Sequence, residues 1–274
     1  MPELPEVETI AQELIQENLV GTSIVEVEVL HPQILEGVSP EELKKRLQTQ
    51  RIQSITRRGK YLILELTKDR LLIHLRMTGK LFFNPPSEKH LKHVHLKIHL
   101  DDGRILYFED PRRFGRWYLG AFTNEKLEAL GIEPLSCEFS PAALQALLKS
   151  HAMQIKPFLL NQRFIAGLGN IYVDEALWEA KIHPQTNTQK ITKAKTVLLH
   201  EAIQNVLKRG IANQGTTLGK YSSNYLSVSG KRGDNQEGLK VFRREGLLCP
   251  RCGNKIIKMT VAQRGTHICP VCQR

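Results

Sequence analysis

Apolar positions near the start of the chain fall at helical spacing, with Val7, Ile10 and Leu14 on one stripe that ends at Gly21. Pro5 sits in the opening turn, and Glu6 and Glu8 lie near the positive end, so a helix is expected there. From residue 22 to 122 the spacing shortens to brief β-rich runs: Ile24–Leu30, Tyr61–Leu66, Leu71–Met77, Leu81–Asn84, Val94–Leu100, Arg104–Glu109 and Arg116–Phe122. Several alternate apolar and polar residues, and Asp102-Gly103 supplies a hairpin turn, which predicts a β-sandwich with one short helix at Glu41–Leu47. Beyond Gly131–Leu135 the helical period returns, over Pro141–Lys149, Ile155–Asn161, Asn170–Ala180 and Ile191–Arg209. Gly215–Gly238 is rich in Gly, Ser, Asn and charge and reads as a mobile loop rather than packed structure. The expected fold is α+β in two domains: a sandwich over residues 1–131, then a helical domain with its loop over 132–238, extended by a terminal hairpin over 239–274.

With 274 residues and 41% hydrophobic content the chain can bury a substantial core, which excludes a disordered protein. No stretch approaches 18 consecutive apolar residues, and residues 1–20 hold five glutamates and no Lys or Arg. An export signal and a membrane partner are therefore not expected, and the protein reads as cytoplasmic. The formal charge of +11 is concentrated late, with 11 Lys/Arg against 3 Asp/Glu over residues 213–274. Such a face favours a polyanion, because each neutralised phosphate releases counterions; the plainer reading is a soluble surface.

Four of the five cysteines form Cys249-Pro-Arg-Cys252 and Cys269-Pro-Val-Cys272, sixteen residues apart. Each CxxC turn presents two thiolates at one point, and a hairpin of that length joins the points into one tetrahedron, so one structural zinc ion is expected. Disulfides are the competing reading, disfavoured in a chain with no export signal. Cys137 stands alone.

Pro2 follows the initiator methionine and its small side chain permits removal of Met1, leaving a terminal secondary amine. A terminal amine titrates near 8, about two units below lysine, so a useful neutral fraction exists at pH 7. Attack of a secondary amine on a sugar C1′ gives an obligatorily cationic iminium, an electron sink that labilises the neighbouring proton and then the 3′ phosphate. Taken alone, such a proline more often only stiffens a terminus. Lys60, in Arg57-Arg58-Gly59-Lys60-Tyr61 at a strand start, is a cation placed for phosphate or proton transfer, or simply a solvated edge residue. Met77, in Leu75-Arg76-Met77-Thr78-Gly79, reads on composition as core. Five histidines lie between His74 and His99; with no acidic partner pattern, the alternating His93, His95 and His99 fit surface readout better than a metal site. Gly167 and Gly169 let backbone approach phosphate, with a helix N-terminus at Asn170 behind them. Arg264 lies between the cysteine pairs, at the tip of the expected hairpin.

Together with the opening Met1-Pro2-Glu3-Leu4-Pro5-Glu6-Val7-Glu8-Thr9, the blocks Asp110-Pro111-Arg112-Arg113-Phe114-Gly115 and Gly169-Asn170-Ile171-Tyr172 closely resemble the bacterial formamidopyrimidine-DNA glycosylases, from Met1 to Arg274. The resemblance implies a sandwich domain, a helix–two-turn–helix domain with a zinc ribbon, and damaged double-stranded DNA bound by a monomer in the cleft between them. It makes Pro2 the Schiff-base nucleophile, Glu3 the acid that helps open the sugar, Glu6 a supporting carboxylate, Lys60 a lysine at the damaged sugar, and Arg264 an arginine on the adjacent phosphate. Met77, Arg112 and Phe114 would fill the space of the extruded nucleotide, Phe114 as wedge and Arg112 on the orphaned base; His93 and Asn170 would contact phosphate. The implied activity is excision of oxidised purines and cleavage at abasic sites. Leu4 stands where the pyrimidine-directed branch typically has glycine; that branch, and a DNA binder without chemistry, are the alternatives. Ala152 stands where relatives often have a phosphate-binding lysine, leaving Lys149 or Lys156 as substitutes.

Overall fold

Glu3 caps helix α1 (Leu4–Gln16) in a computed structural model that describes residues 1–84, 88–219 and 225–274. The cap is reciprocal: the Glu3 side chain accepts from the Glu6 amide, and the Glu6 carboxylate accepts from the Glu3 amide at 2.7 Å. This spares two of the helix's orphan donors and fixes the entry of the chain. The stripe of Val7, Ile10 and Leu14 is fully buried.

The described chain divides into two units, residues 1–129 with 211–236 and residues 130–210 with 237–274. In the first, β1 (Ile24–Val29), β2 (Leu35–Glu36), α2 (Pro40–Leu47), β3 (Ile52–Arg58), β4 (Tyr61–Leu66), β5 (Arg70–His74), β6 (Lys80–Phe82), α3 (Glu88–Leu91), β7 (Val94–Leu100), β8 (Ile105–Glu109), β9 (Arg116–Leu119) and α4 (Ala121–Glu128) follow in order. Two sheets form, β1-β7-β8-β6 and β2-β9-β5-β4-β3. Their inner faces meet in one core, where Leu62, Leu64, Leu71 and Ile73 pack with Leu96, Ile98, Leu106 and Phe108, and α1 closes it with Val7, Ile10 and Leu14. The expected β-sandwich is thus present. Its β3 is absent from the sequence reading, because a register shift between Ile52 and Ser54 breaks the alternation. The strand expected over Arg116–Phe122 ends at Leu119 and gives way to α4.

Residues 211–236 group with this first unit. The described part of the expected mobile loop is packed: Thr216, Thr217, Tyr225, Ser227, Val228 and Asn235 are buried. The reason is non-local, since two carboxylates of α1 hold its backbone. Glu6 accepts from the Thr216 amide at 2.7 Å, and Glu13, two turns further on, accepts from Val228 at 2.6 Å. Residues 220–224 of that loop lie outside the described residues.

The second unit contains α5 (Pro141–Ser150), α6 (Ile155–Leu160), α7 (Asn170–Glu179), most of α8 (Lys193–Ala212) and the hairpin of β10 (Ile257–Val261) and β11 (Arg264–Ile268). Ala262 and Gln263, with φ of 47° and 60°, form the two-residue hairpin turn whose twist matches the strands. Helix α7 is buried along nearly its whole length, acids included, so it is a core helix rather than a surface one. Among the described residues no helix is long and apolar enough to cross a membrane.

Candidate active site and nucleic-acid interface

In the first unit Pro2 is buried just ahead of the capping box, with Glu3 only 3% and Glu6 0% exposed. Glu6 uses one carboxyl oxygen for the Glu3 amide and the other for the Thr216 amide, so the N-terminal backbone and the 211–236 segment share one side chain. Lys60 lies in the Gly59–Lys60 turn between β3 and β4, where Gly59 adopts φ +59°, and it is 6% exposed rather than a solvated strand edge. Arg57 Nε donates to Glu8 at 2.9 Å and its Nη1 to the Gly59 carbonyl at 3.1 Å, mooring the Lys60 turn to the helix that Pro2 precedes.

Met77, Arg112 and Phe114 come together on the same unit. Arg112 Nη1 lies 3.2 Å from the Met77 sulfur, and its guanidinium sits 4.7 Å over the Phe114 ring. Met77 is 39% and Phe114 44% exposed, so Met77 is not the core residue that its composition suggests. An aromatic and a thioether held in water by a cation form a small apolar projection with a charged tip, which suits insertion between stacked bases.

The histidines divide by role. His93 is partly exposed beside this projection, and its carbonyl accepts from the Asp110 amide at 2.9 Å. His95 is buried, contrary to the surface readout expected of it, and His74 is buried too. His95 Nε2 is 2.8 Å from the Asp110 carbonyl; a carbonyl only accepts, so that nitrogen carries the proton. Burial, aided by the Arg76 and Lys60 cations, pushes the His74 pKa down to about 3, and its neutral Nδ1 accepts from the Arg76 amide at 3.0 Å. Arg76 has φ 53°, so this bond holds the left-handed bend that presents Met77. His99 pairs with Glu28 at 2.5 Å.

In the second unit, α6 and α7 flank a turn in which Gly167 takes φ +88° and Gly169 caps α7. Asn170, the first residue of α7, donates its side-chain amide to the Gly265 carbonyl at 3.0 Å, which ties the helix start to the hairpin tip. Arg264 is exposed at that tip. Behind it lies a buried network that the sequence reading missed. Lys156 and Asp174, both 0% exposed, pair at 2.6 Å; Lys156 also donates to Thr266 Oγ1 at 2.8 Å and the Gly265 carbonyl at 3.2 Å, and Asp174 accepts from the His267 amide at 2.9 Å. Lys156 is therefore committed to the interior and does not replace a phosphate contact near Ala152. The adjacent Glu175 accepts three amides, from Lys240, Val241 and Phe242, at 2.8–2.9 Å. The signal for both acids is present in the chain: Asp174 and Glu175 interrupt the apolar run from Ile171 to Trp178, where a charge survives only if it is partnered.

The four expected thiols converge, all sulfurs lying within 4.8 Å of one another. Tetrahedral bonds of about 2.3 Å require sulfur–sulfur separations near 3.8 Å, and the Cys249–Cys272 and Cys252–Cys269 distances of 4.0 and 3.4 Å bracket that value. The site fits one structural zinc. Among the described residues no other group of metal-capable side chains converges. Cys249 and Cys269 also pack with Trp178, Val241 and Ile256. Arg251, inside the first CxxC turn, stacks over Trp178 at 3.9 Å and donates to the Trp178 and Glu179 carbonyls, capping the negative end of α7.

Family models match three consecutive stretches of the chain: the formamidopyrimidine-DNA glycosylase N-terminal domain over residues 1–117, the H2TH domain of the same glycosylases over 130–222, and the zinc finger found in FPG and IleRS over 246–274. Among similar proteins, the formamidopyrimidine-DNA glycosylase of Protochlamydia amoebophila is 44% identical over 275 residues, covering all of both chains. That of Enterococcus faecalis is 42% identical over 278 residues, covering all of this chain and 98% of its own. Among solved structures, a Lactococcus lactis FPG mutant in complex with a Fapy-dG containing DNA superposes with a TM-score of 0.90 at 40% identity over the whole of both chains. The L. lactis protein with an abasic site containing DNA gives 0.89 at 40% identity over 99% of each.

Proposed function

We propose, from the premise that this chain belongs to the formamidopyrimidine-DNA glycosylase family, that it is a bifunctional DNA glycosylase and AP lyase of base excision repair, acting on oxidised purines such as 8-oxoguanine and formamidopyrimidines. The observation that supports this most lies around Pro2: it directly follows Met1 and is buried beside a reciprocal pair of acids, Glu3 and Glu6. An inert proline needs neither burial nor two desolvated carboxylates.

With Met1 removed, the Pro2 nitrogen attacks C1′ of the damaged nucleotide. The C1′–N bond to the base breaks with the base taking a proton from solvent, and the proton that the Pro2 amine gives up passes through Glu3 to the ring oxygen, which opens the sugar to the iminium. Loss of the C2′ proton expels the 3′ phosphate, a second elimination expels the 5′ phosphate, and hydrolysis of the iminium returns the free amine. Lys60, partly desolvated in its turn, is assigned to the sugar and its phosphate. Arg264 at the hairpin tip is assigned to the phosphate beside the lesion, Asn170 and His93 to the flanking backbone, and the Met77–Arg112–Phe114 projection to the gap left by the extruded base. The zinc gives rigidity alone, since four thiolates leave no open coordination position for chemistry.

Borohydride reduction of the zinc-loaded, Met1-processed protein on an 8-oxoguanine duplex, followed by peptide mapping, tests the assignment. A covalent adduct at Pro2 is expected. No adduct, or an adduct on Lys60, refutes it.

A further inference from the structure

Two separate turns build the projection assigned above to the extruded base, and one side chain joins them. Asp110 is fully buried. Its Oδ1 accepts from the Thr78 hydroxyl, next to Met77, and from the Arg112 amide at 3.3 Å; its Oδ2 accepts from the Gly115 amide, next to Phe114, at 2.7 Å. The backbone of the same residue reaches a third element, because its amide donates to the His93 carbonyl and its carbonyl accepts from buried His95. The packing beneath agrees. A Cβ on Gly79 would come within 3.0 Å of the Phe108 ring, and one on Gly115 within 2.5 Å of it, so both turns close onto one aromatic ring at the glycines that end them.

We infer that Asp110 is the positioning residue of this projection: its carboxylate clamps the Met77 turn to the Arg112–Phe114 turn, so that the three side chains enter the duplex as one preformed body. Without the clamp each turn keeps its own backbone but loses its register with the other, and both must be ordered during insertion. The inference rests on the reading of Met77, Arg112 and Phe114 given above. It predicts a defect confined to steps that need insertion into paired DNA.

The test uses the full-length, zinc-loaded protein and two substrates: an 8-oxoguanine duplex carrying 2-aminopurine beside the lesion, and a single-stranded abasic oligonucleotide that needs no insertion. Asp110→Asn replaces one acceptor oxygen by a donor and sets it against an amide or hydroxyl. Its expected result is loss of the fast 2-aminopurine phase and a duplex excision rate lowered roughly tenfold or more for each hydrogen bond broken, with single-strand cleavage within about threefold of wild type. Thr78→Val, which deletes one arm of the clamp and guards against a misfolded Asp110 variant, should show the same selectivity more weakly, and the double variant should be no worse than Asp110→Asn alone. An unchanged fluorescence phase in both variants overturns the inference, as does a parallel loss on both substrates in Thr78→Val. A wild-type protein that traps no adduct overturns the parent reading instead, so the two failures are distinguishable.

Discussion

Asp174→Asn removes a counter-charge from a fully buried ammonium. In the native protein Lys156 Nζ meets Asp174 at 2.6 Å with both side chains 0% exposed, while its contacts to Thr266 Oγ1 and the Gly265 carbonyl are to neutral acceptors. Neutral acceptors offset only part of the cost of burying a charge, and breaking a buried pair from one side costs about 3–5 kcal/mol. That is a large share of the roughly 5–15 kcal/mol that holds a domain together. A unit of this size lies between the small domains that shift about 4–8 °C per kcal/mol and the larger ones that shift about 2–4 °C, so at about 4 °C per kcal/mol the thermal midpoint of the second unit should fall by about 12–20 °C. Lys156→Met with Asp174→Asn removes both charges and should recover most of the loss, because the penalty belongs to the unpaired ion and not to the absent bridge. Scanning fluorimetry on the zinc-loaded protein, read at Trp178, measures all three. A drop under about 2 °C for Asp174→Asn, or a double variant as unstable as the single, would refute the reasoning.

Phe114→Ala should leave the thermal midpoint within about 1 °C, because the ring is 44% exposed, yet slow excision from an 8-oxoguanine duplex about tenfold; equal rates would remove Phe114 from base extrusion. His74 gives a pH dependence with a definite sign. Its folded pKa of about 3 lies below the ordinary 6.5, so the unfolded chain takes a proton that the folded one refuses, and stability falls as pH drops from 6.5 toward 3, by up to about 1.4 kcal/mol per pH unit. Urea midpoints from pH 4 to 7 should flatten in His74→Asn, and an unchanged slope would assign the proton elsewhere. Chelation of zinc should alter Trp178 fluorescence and abolish duplex binding together, since Cys249 and Cys269 pack on that ring; binding that survives full metal loss would separate the ribbon from DNA. Excision of 8-oxoguanine should exceed that of dihydrouracil in matched duplexes, and the reverse order would move the chain to the pyrimidine-directed alternative.

Local regularity is what the sequence makes legible. The α1 stripe, most sandwich strands, the long helices and the thiol cluster each follow from a period or a spacing, and each is where it is expected. Features set by distant residues are not readable in that way. The 215–238 stretch has the composition of a mobile loop, but Glu6 and Glu13 hold its backbone from more than two hundred residues away. β3 hides behind a bulge. Met77 and His95 exchange the roles their patterns suggest: the methionine closing an apolar strand stands in water, while the histidine on an alternating strand is interior. The assigned site residues are named by motif resemblance, which says nothing of the Asp110, Lys156, Asp174 and Glu175 anchors: an acid within an apolar run signals that it is partnered, but only the fold supplies the partner.

Helix α7 touches the zinc ribbon along its whole length: Asn170 at its start binds Gly265, Asp174 and Glu175 in its middle hold His267 and Lys240–Phe242, and Arg251 caps its end. A boundary at residue 239 would therefore separate elements that share these hydrogen bonds. In native-state hydrogen exchange the amides of α7 and of the β10–β11 hairpin should open together with a common free energy. The ribbon is accordingly a poor module for transplantation: grafted without α7 it keeps its four thiols but leaves behind the scaffold that aims its tip.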